Sequence, residues 1–390
     1  MSAHALPYWR MSAFYLCFFA VLGGLAPYWG LYLDRLGFTA VQIGQLIAIL
    51  HATKIIAPNV WGWIADRSGQ RMPIVRLGAL VATLGFTGVL VGESFWWLAL
   101  VMTVFSFFWN AALPQFEANT MNHLGHEAHR YSRVRLWGSV GFIIAVLVFG
   151  ELIDRFGVQM LPWLLLPVFL GLWLASQFTP QAAQHSRHAS HEPIGRVILQ
   201  PAVLGLFLAC FLMQATHGPY YAFFSIYLEA HGYSGTAIGV LWALGVVAEI
   251  LLFLVMHRLL PALGPRLLMT VAILLTGLRW VLIGALPEVL PVLVFAQGLH
   301  AASFGVYHAV GIYMVNHYFV GRNQGRGQAL YSSITFGAGV AAGSLAAGLL
   351  WDSLGGAGTF YLAALVSLLA ALAAGLSLPR RAAAADPVAT

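Results

Sequence analysis

Charge is what this chain has least of: 8% of its 390 residues are Asp, Glu, Lys or Arg, and Lys54 is the single lysine. A soluble domain carries roughly 25% charged residues, so a water-facing surface is excluded along most of the length. Cysteine is nearly absent as well. Cys17 and Cys210 both fall inside apolar runs, where they read as small packing residues and not as a disulfide framework. Long polar stretches are missing. The longest lies between Pro180 and Pro193, too short for a soluble catalytic or partner-binding domain. Glycine-rich phosphate loops, metal-ligand spacings and nucleophile constellations are lacking too, so the chain reads as a non-enzyme with no metal and no cofactor.

What is present is apolar length. Hydrophobic residues make up 60% of the chain, and a helix needs about 20 apolar residues to cross a bilayer. Twelve such runs can be marked between residues 8 and 378, the later ones at 235–257, 266–286, 326–350 and 357–378. Long unbroken runs select helices over a barrel, because lipid-exposed backbone must be hydrogen-bonded within its own segment. The expectation is an all-α membrane protein of twelve transmembrane helices. The first run, behind Arg10, is too long for a signal peptide and reads as an uncleaved helix.

The net charge of +6 would point to nucleic acid in a soluble protein. Here its distribution points to topology. With both termini placed in the cytoplasm, fourteen of the 19 Lys and Arg fall on that side and only Arg35 and Arg155 on the other. That is a strong positive-inside bias. Lys54, Arg135 and Arg279 remain within the membrane. The expected surroundings are lipid, a small-molecule substrate and protons, with no nucleic acid, for a monomer.

The chain also repeats itself. Leu31-Tyr-Leu-Asp34-Arg-Leu-Gly37-Phe38-Thr39-Ala-Val-Gln-Ile43-Gly44 returns as Ile226-Tyr-Leu-Glu229-Ala-His-Gly232-Tyr233-Ser234-Gly-Thr-Ala-Ile238-Gly239, with five of fourteen positions identical. The same shift carries Gly69 and Arg71 onto Gly264 and Arg266, and a nearby shift carries Leu152, Asp154 and Gly157 onto Leu350, Asp352 and Gly355. Duplication at this scale decides architecture: a first half at 1–179, a linker at 180–199 and a second half at 200–390, rocking about a shared site. Thr39 and Ser234 read as matching helix N-caps. The linker histidines His185, His188 and His191 have a metal-like spacing that reads as incidental in a short polar loop.

Between the second and third runs stands Gly62-Trp-Ile-Ala-Asp66-Arg67-Ser-Gly69-Gln-Arg71. It resembles the Gly-x-x-x-Asp-Arg-x-Gly-x-Arg loop signature of the major facilitator superfamily, where the acid and its basic neighbours serve as a conformational latch. In the second half Pro261 stands at the acid's place, so any latch is mainly a first-half device. Pro114-Gln-Phe-Glu117 and, eighteen residues beyond, Arg135 in Tyr131-Ser-Arg-Val-Arg-Leu-Trp-Gly-Ser resemble the lactose-permease-like clan. The stretches Phe211-Leu-Met-Gln-Ala-Thr-His-Gly-Pro-Tyr-Tyr221, Leu241 to Glu249, Leu278-Arg279-Trp280 and Gln297-Gly-Leu-His300 are similar to that clan's bacterial 3-phenylpropionate transporter branch.

The resemblance implies two pseudo-symmetric six-helix halves in a bacterial inner (plasma) membrane, and proton-coupled symport of 3-phenylpropionate or a related aromatic carboxylate. A sugar or nucleoside symporter is the alternative. A drug effluxer fits less well given Glu117 and Arg135, as does a non-transporting sensor given the small soluble portion. Charges inside a membrane span cost about 2.5–3.5 kcal/mol each on insertion scales and mark function. On that ground Lys54, Glu117 and Arg135 are candidates for substrate binding, with His217 and Tyr221 on a polar-aromatic helix face. Arg135 or Lys54 is expected to hold the carboxylate. Glu249, Arg279 and His300 are the candidates for proton coupling, and helical spacing adds His308 through the face Gln297, His300, Phe304 and His308. The match to the lactose-permease-like network is incomplete, because Gln297 and Ser303 stand where that clan has a lysine and the proton-carrying glutamate.

Overall fold

A computed structural model describes residues 6–182, 194–321 and 323–380. The linker histidines His185, His188 and His191 lie outside the described residues. The membrane-length helices of the first half are α1 Tyr8–Arg35, α2 Ala40–Ser68, α3 Met72–Leu90, α4 Phe95–Leu124, α5 Tyr131–Phe156 and α6 Val158–Phe178. A short turn, Ile194–Ile198, precedes α7 Pro201–Ala230, and α10 is Leu290–Tyr318.

Two further runs are too long for one crossing. Gly235–Ala285 has 51 residues; at the α-helical rise it would reach about 75 Å, against a hydrocarbon core of about 30 Å. It breaks at Gly264, with φ 75° and ψ 161°, into α8 (235–263) and α9 (265–285). Asn323–Ser377, 55 residues long, breaks at Gly355, with φ 69° and ψ 172°, into α11 (323–354) and α12 (356–377). The ten candidate spans thereby supply twelve crossings, at the places where hydropathy alone separated them.

The duplication is written into the backbone. Gly37 and Gly232 have φ of 81° and 83°, Gly69 and Gly264 of 68° and 75°, Gly157 and Gly355 of 87° and 69°. These are the glycine pairs that the sequence shifts superimpose. Each turn leaves a helix through positive φ, which an L side chain resists by roughly 1–2 kcal/mol, so both copies need glycine there.

Lipid tails are as apolar as leucine, so helix association rests on close packing of small residues. Gly141 and Gly23 let α5 and α1 meet backbone to backbone, against the carbonyls of Leu16 and Phe142. Gly339 and Gly343 do the same for α11 against α7, at the carbonyls of Phe211 and Ala215. The described residues form two compact units. One takes Met1–Ser186 with Tyr221–Ala243, and the other takes Arg187–Tyr220 with Leu244–Thr390. The core of the second includes the fully buried Met213, Met269, Ile273, Tyr307, Val310 and Met314.

Candidate functional site

In the first unit Glu117 on α4 meets Arg135 on α5, Oε1 to Nε at 3.6 Å. Tyr131, one turn before Arg135, donates its hydroxyl to the same carboxylate oxygen at 3.1 Å. Phe19 on α1 lies under the guanidinium, 3.9 Å from its carbon to the ring centroid, with Tyr15 at 5.6 Å. A charge over an aromatic face gains about 0.5–2 kcal/mol. The Arg135 and Glu117 side chains remain 31% and 37% exposed, so the pair is open on one side and contributes at most about 1 kcal/mol to stability. An open pair with a fixed aromatic floor can exchange its partner for an incoming anion or hydroxyl.

Lys54 is half-buried on α2, and its ammonium makes no hydrogen bond or ion pair with the described residues. Next to it in the chain, Thr53 joins Ser106 and Asn110 in bridging α2 to α4: the Thr53 and Ser106 hydroxyls lie 2.9 Å apart, and the Asn110 amide donates to Thr53 Oγ1 at 2.8 Å. On the same α2 face as Lys54, His51 begins a row of rings. Its centroid lies 5.8 Å from Tyr221, which lies 6.3 Å from Trp242 at 28°, and Trp242 is 6.5 Å from Phe142. A lone cation beside flat apolar rings is the chemistry that an aryl carboxylate needs.

The second unit holds a different kind of cluster. Arg279 on α9 is 0% exposed. It donates to Gln297 Oε1 at 2.9 Å, to Ser303 Oγ at 3.1 Å and to His300 Nδ1 at 3.2 Å. Tyr220 and Trp280 cover its carbon at 4.3 and 4.8 Å, and the Tyr220 hydroxyl donates to Gln297 Oε1 at 3.1 Å. The other nitrogen of His300, Nε2, faces Glu249 Oε2 on α8 at 3.7 Å. Just beyond His300, α10 widens into π-helical turns over Ala301–Val306, a departure frequent at functional sites. It brings Ser303 round to the guanidinium. His308 stands apart: Phe304 stacks between it and His300, at 5.7 and 5.5 Å.

His217 and Tyr221 separate. The α7 helix is interrupted at His217, ahead of Gly218 and Pro219, so the two positions lose their common face. His217 is fully buried, Nδ1 donating to the Met213 carbonyl at 3.0 Å, with Trp280 edge-on at 5.0 Å. It belongs with Arg279, while Tyr221 belongs with His51 and Trp242.

The loop motif is a closed local device. Gly69 ends α2 in left-handed geometry. Arg71 then turns back, donating to Asp66 Oδ1 at 2.7 Å and to Gln115 on α4. Gly62 leaves room for that glutamine, whose Nε2 lies 3.6 Å from where a Cβ would be. Arg67 covers Trp63 at 4.5 Å. The linker's first residues complete it: Gln181 Oε1 accepts from the backbone N–H groups of Arg71 and Met72 at 3.0 and 2.8 Å, capping α3. Gln115, Gln181 and Tyr131 had no signal in the pattern of charges; each acts through a partner remote in sequence.

Polar clusters set within a twelve-pass helical scaffold fit a membrane transport protein, and the relatives and structural neighbours of this chain are transporters and not enzymes. The MFS_1 like family model matches residues 8–362, and the chain belongs to that family within the major facilitator superfamily. It is 31% identical over 368 residues to a protein of Escherichia coli (strain K12) named as a probable 3-phenylpropionic acid transporter, covering 91% of this chain and 93% of that one. It is 24% identical to the maltose permease of Geobacillus stearothermophilus, covering 87% and 86%. Among solved structures it is similar to the nucleoside transporter NupG, with a TM-score of 0.82 at 16% identity over 95% of this chain and 98% of that one.

Proposed function

We propose that this transporter imports an aromatic carboxylate, 3-phenylpropionate or a close relative, by proton symport across a bacterial inner membrane with both termini cytoplasmic. In this reading the duplicated halves 1–179 and 200–390, joined by 180–199, alternate access to the substrate. Lys54 or Arg135 holds the carboxylate, the His51, Tyr221 and Trp242 rings take the arene, and Glu249, Arg279 and His300 handle the proton. The observation that carries the reading is the pairing of a half-buried lysine that bonds to none of the described residues with an aromatic row one turn away. The 31% identical relative is named for the same class of cargo.

A sugar symporter is the second reading, supported by the Glu117 acceptor beside Arg135 and by the maltose permease relative. Counterflow in reconstituted vesicles separates the two. Preloaded 3-phenylpropionate is expected to drive entry of its labelled form, and maltose and uridine are expected not to compete. Competition by maltose with none by aryl carboxylates would replace the first reading with the second.

A further inference from the structure

We propose that Glu249 is the group that takes up and releases the coupled proton, and that His300 is a positioning residue locked by Arg279 in its Nε2–H tautomer. This rests on the proton-symport reading. A guanidinium has five N–H donors and no acceptor. Arg279 Nη1 lies 3.2 Å from His300 Nδ1, so Nδ1 must present its lone pair. A neutral imidazole with a bare Nδ1 carries its hydrogen on Nε2. That is the nitrogen turned towards Glu249 Oε2, 3.7 Å away. The imidazole therefore offers its N–H to the carboxylate because the arginine behind it permits no other arrangement.

Adding a proton to His300 would set donor against donor at 3.2 Å and place a second cation beside a buried one. At about 4 Å and an effective dielectric near 20, like charges repel by about 4 kcal/mol. The ring has little room to turn away. Phe304 stacks on it at 5.5 Å and 15°. On α8 the backbone of Gly245 lies flat against it, with Cδ2 3.2 Å from where a Cβ would be.

Every element around the pair bears this out. Arg279 faces His300 from α9, His217 and Tyr220 stand on α7 with Tyr220 6.4 Å from the imidazole, and His308 is screened by Phe304 within α10. Among the described residues Glu249 is the one carboxylate in ion contact with this imidazole, and its side chain keeps 18% exposure, enough for water to reach it. The step is simple in its balance. One O–H bond forms on the Glu249 carboxylate as it takes a proton from water, and the same bond breaks when the proton returns to water on the other side. Arg279 keeps its charge throughout.

The test uses the full chain in vesicles, with labelled 3-phenylpropionate and an imposed pH gradient. Wild-type uptake must first respond to the gradient; if it does not, the symport reading fails whatever the roles of Glu249 and His300. Given a response, Glu249→Gln is expected to lose gradient-driven accumulation by about tenfold or more while keeping counterflow. His300→Asn leaves an amide oxygen at the Nδ1 position for Arg279 and is expected to slow uptake while the pH gradient still drives accumulation. Accumulation that survives Glu249→Gln, or that is lost in His300→Asn with counterflow intact, overturns the assignment. Should His300→Asn fail to fold, His300→Gln and nitrogen NMR of histidine-labelled wild-type protein take its place. The expected signal for His300 is a bare Nδ1 and a protonated Nε2 from about pH 5 to about pH 8. An imidazolium signal in that range overturns the proposal equally.

Discussion

Arg135 and Arg279 are both arginines within the membrane, each laid on aromatic rings, and they are held in opposite ways. Arg135 has a carboxylate for a partner, one side open and a third of its side chain exposed. Arg279 is sealed, and hydrogen bonds from it reach a glutamine, a serine and an imidazole. An open ion pair is easily exchanged, because each member can be re-solvated or re-paired as the other leaves. A sealed cation tied by several hydrogen bonds is fixed in place and polarises what surrounds it. The contrast supports the proposal that the first cluster binds substrate and the second controls a proton.

The largest effect should come from the sealed arginine. Arg279→Ala leaves Gln297 and Ser303 short of a donor and a void between Tyr220 and Trp280, at a cost of about 3 kcal/mol or more. Thermal unfolding in detergent should fall well below wild type, and transport should be lost. Arg279→Lys should rescue little, since a point charge cannot serve three acceptors in a planar fork. Arg135→Ala provides the counterpart: uptake down about 10–100-fold with stability changed by no more than about 1 kcal/mol. If both variants unfold alike, the distinction between an exchangeable and a fixed arginine fails.

Lys54 sharpens the comparison further. A charge-assisted contact to a carboxylate is worth about 1.5–3 kcal/mol, so Lys54→Met should weaken apparent affinity for 3-phenylpropionate about 10–100-fold. Binding of 3-phenylpropionamide, which carries no charge, should hardly change, and stability should hold or rise as a half-buried charge is removed. Equal losses for acid and amide would move the carboxylate site to Arg135.

Much of this frame was legible in the sequence. The twelve runs, the glycine pairs at the turns and the similar depth of Glu117 and Arg135 all follow from hydropathy, spacing and a count of residues from the loop. What was not legible depends on geometry that no period encodes. His217 and Tyr221 share a face in an ideal helix, but the break ahead of Gly218 and Pro219 sends them to different clusters. Ser303 joins Arg279 through widened turns over Ala301–Val306, which have no sequence mark. Gln181 reads as linker composition, yet its amide oxygen caps α3 across more than a hundred residues.

The smallest effect lies where the repeated turns were expected to match most closely. Thr39 and Ser234 both cap the backbone N–H three residues on, Gln42 at 3.3 Å and Ala237 at 3.2 Å. Only the first is a full capping box, because the Gln42 side chain returns to the Thr39 N–H at 3.0 Å, and its counterpart in the repeat is Ala237. The second turn is completed from elsewhere in the same unit. Asp154, at the end of α5, accepts from the N–H groups of Gly235 and Thr236 at 2.6 and 2.8 Å. An anion at a helix N-terminus adds its interaction with the helix dipole to those two bonds. Removing it should cost about 1–2 kcal/mol, against about 0.5–1 kcal/mol for Gln42→Ala. The two losses differ in kind as well as size. Ala237→Gln should restore part of the stability lost in Asp154→Ala by giving the second turn the capping box of the first. A double variant no more stable than Asp154→Ala, by thermal unfolding in detergent, would show that Asp154 holds α5 to α8 and does more there than replace a missing cap.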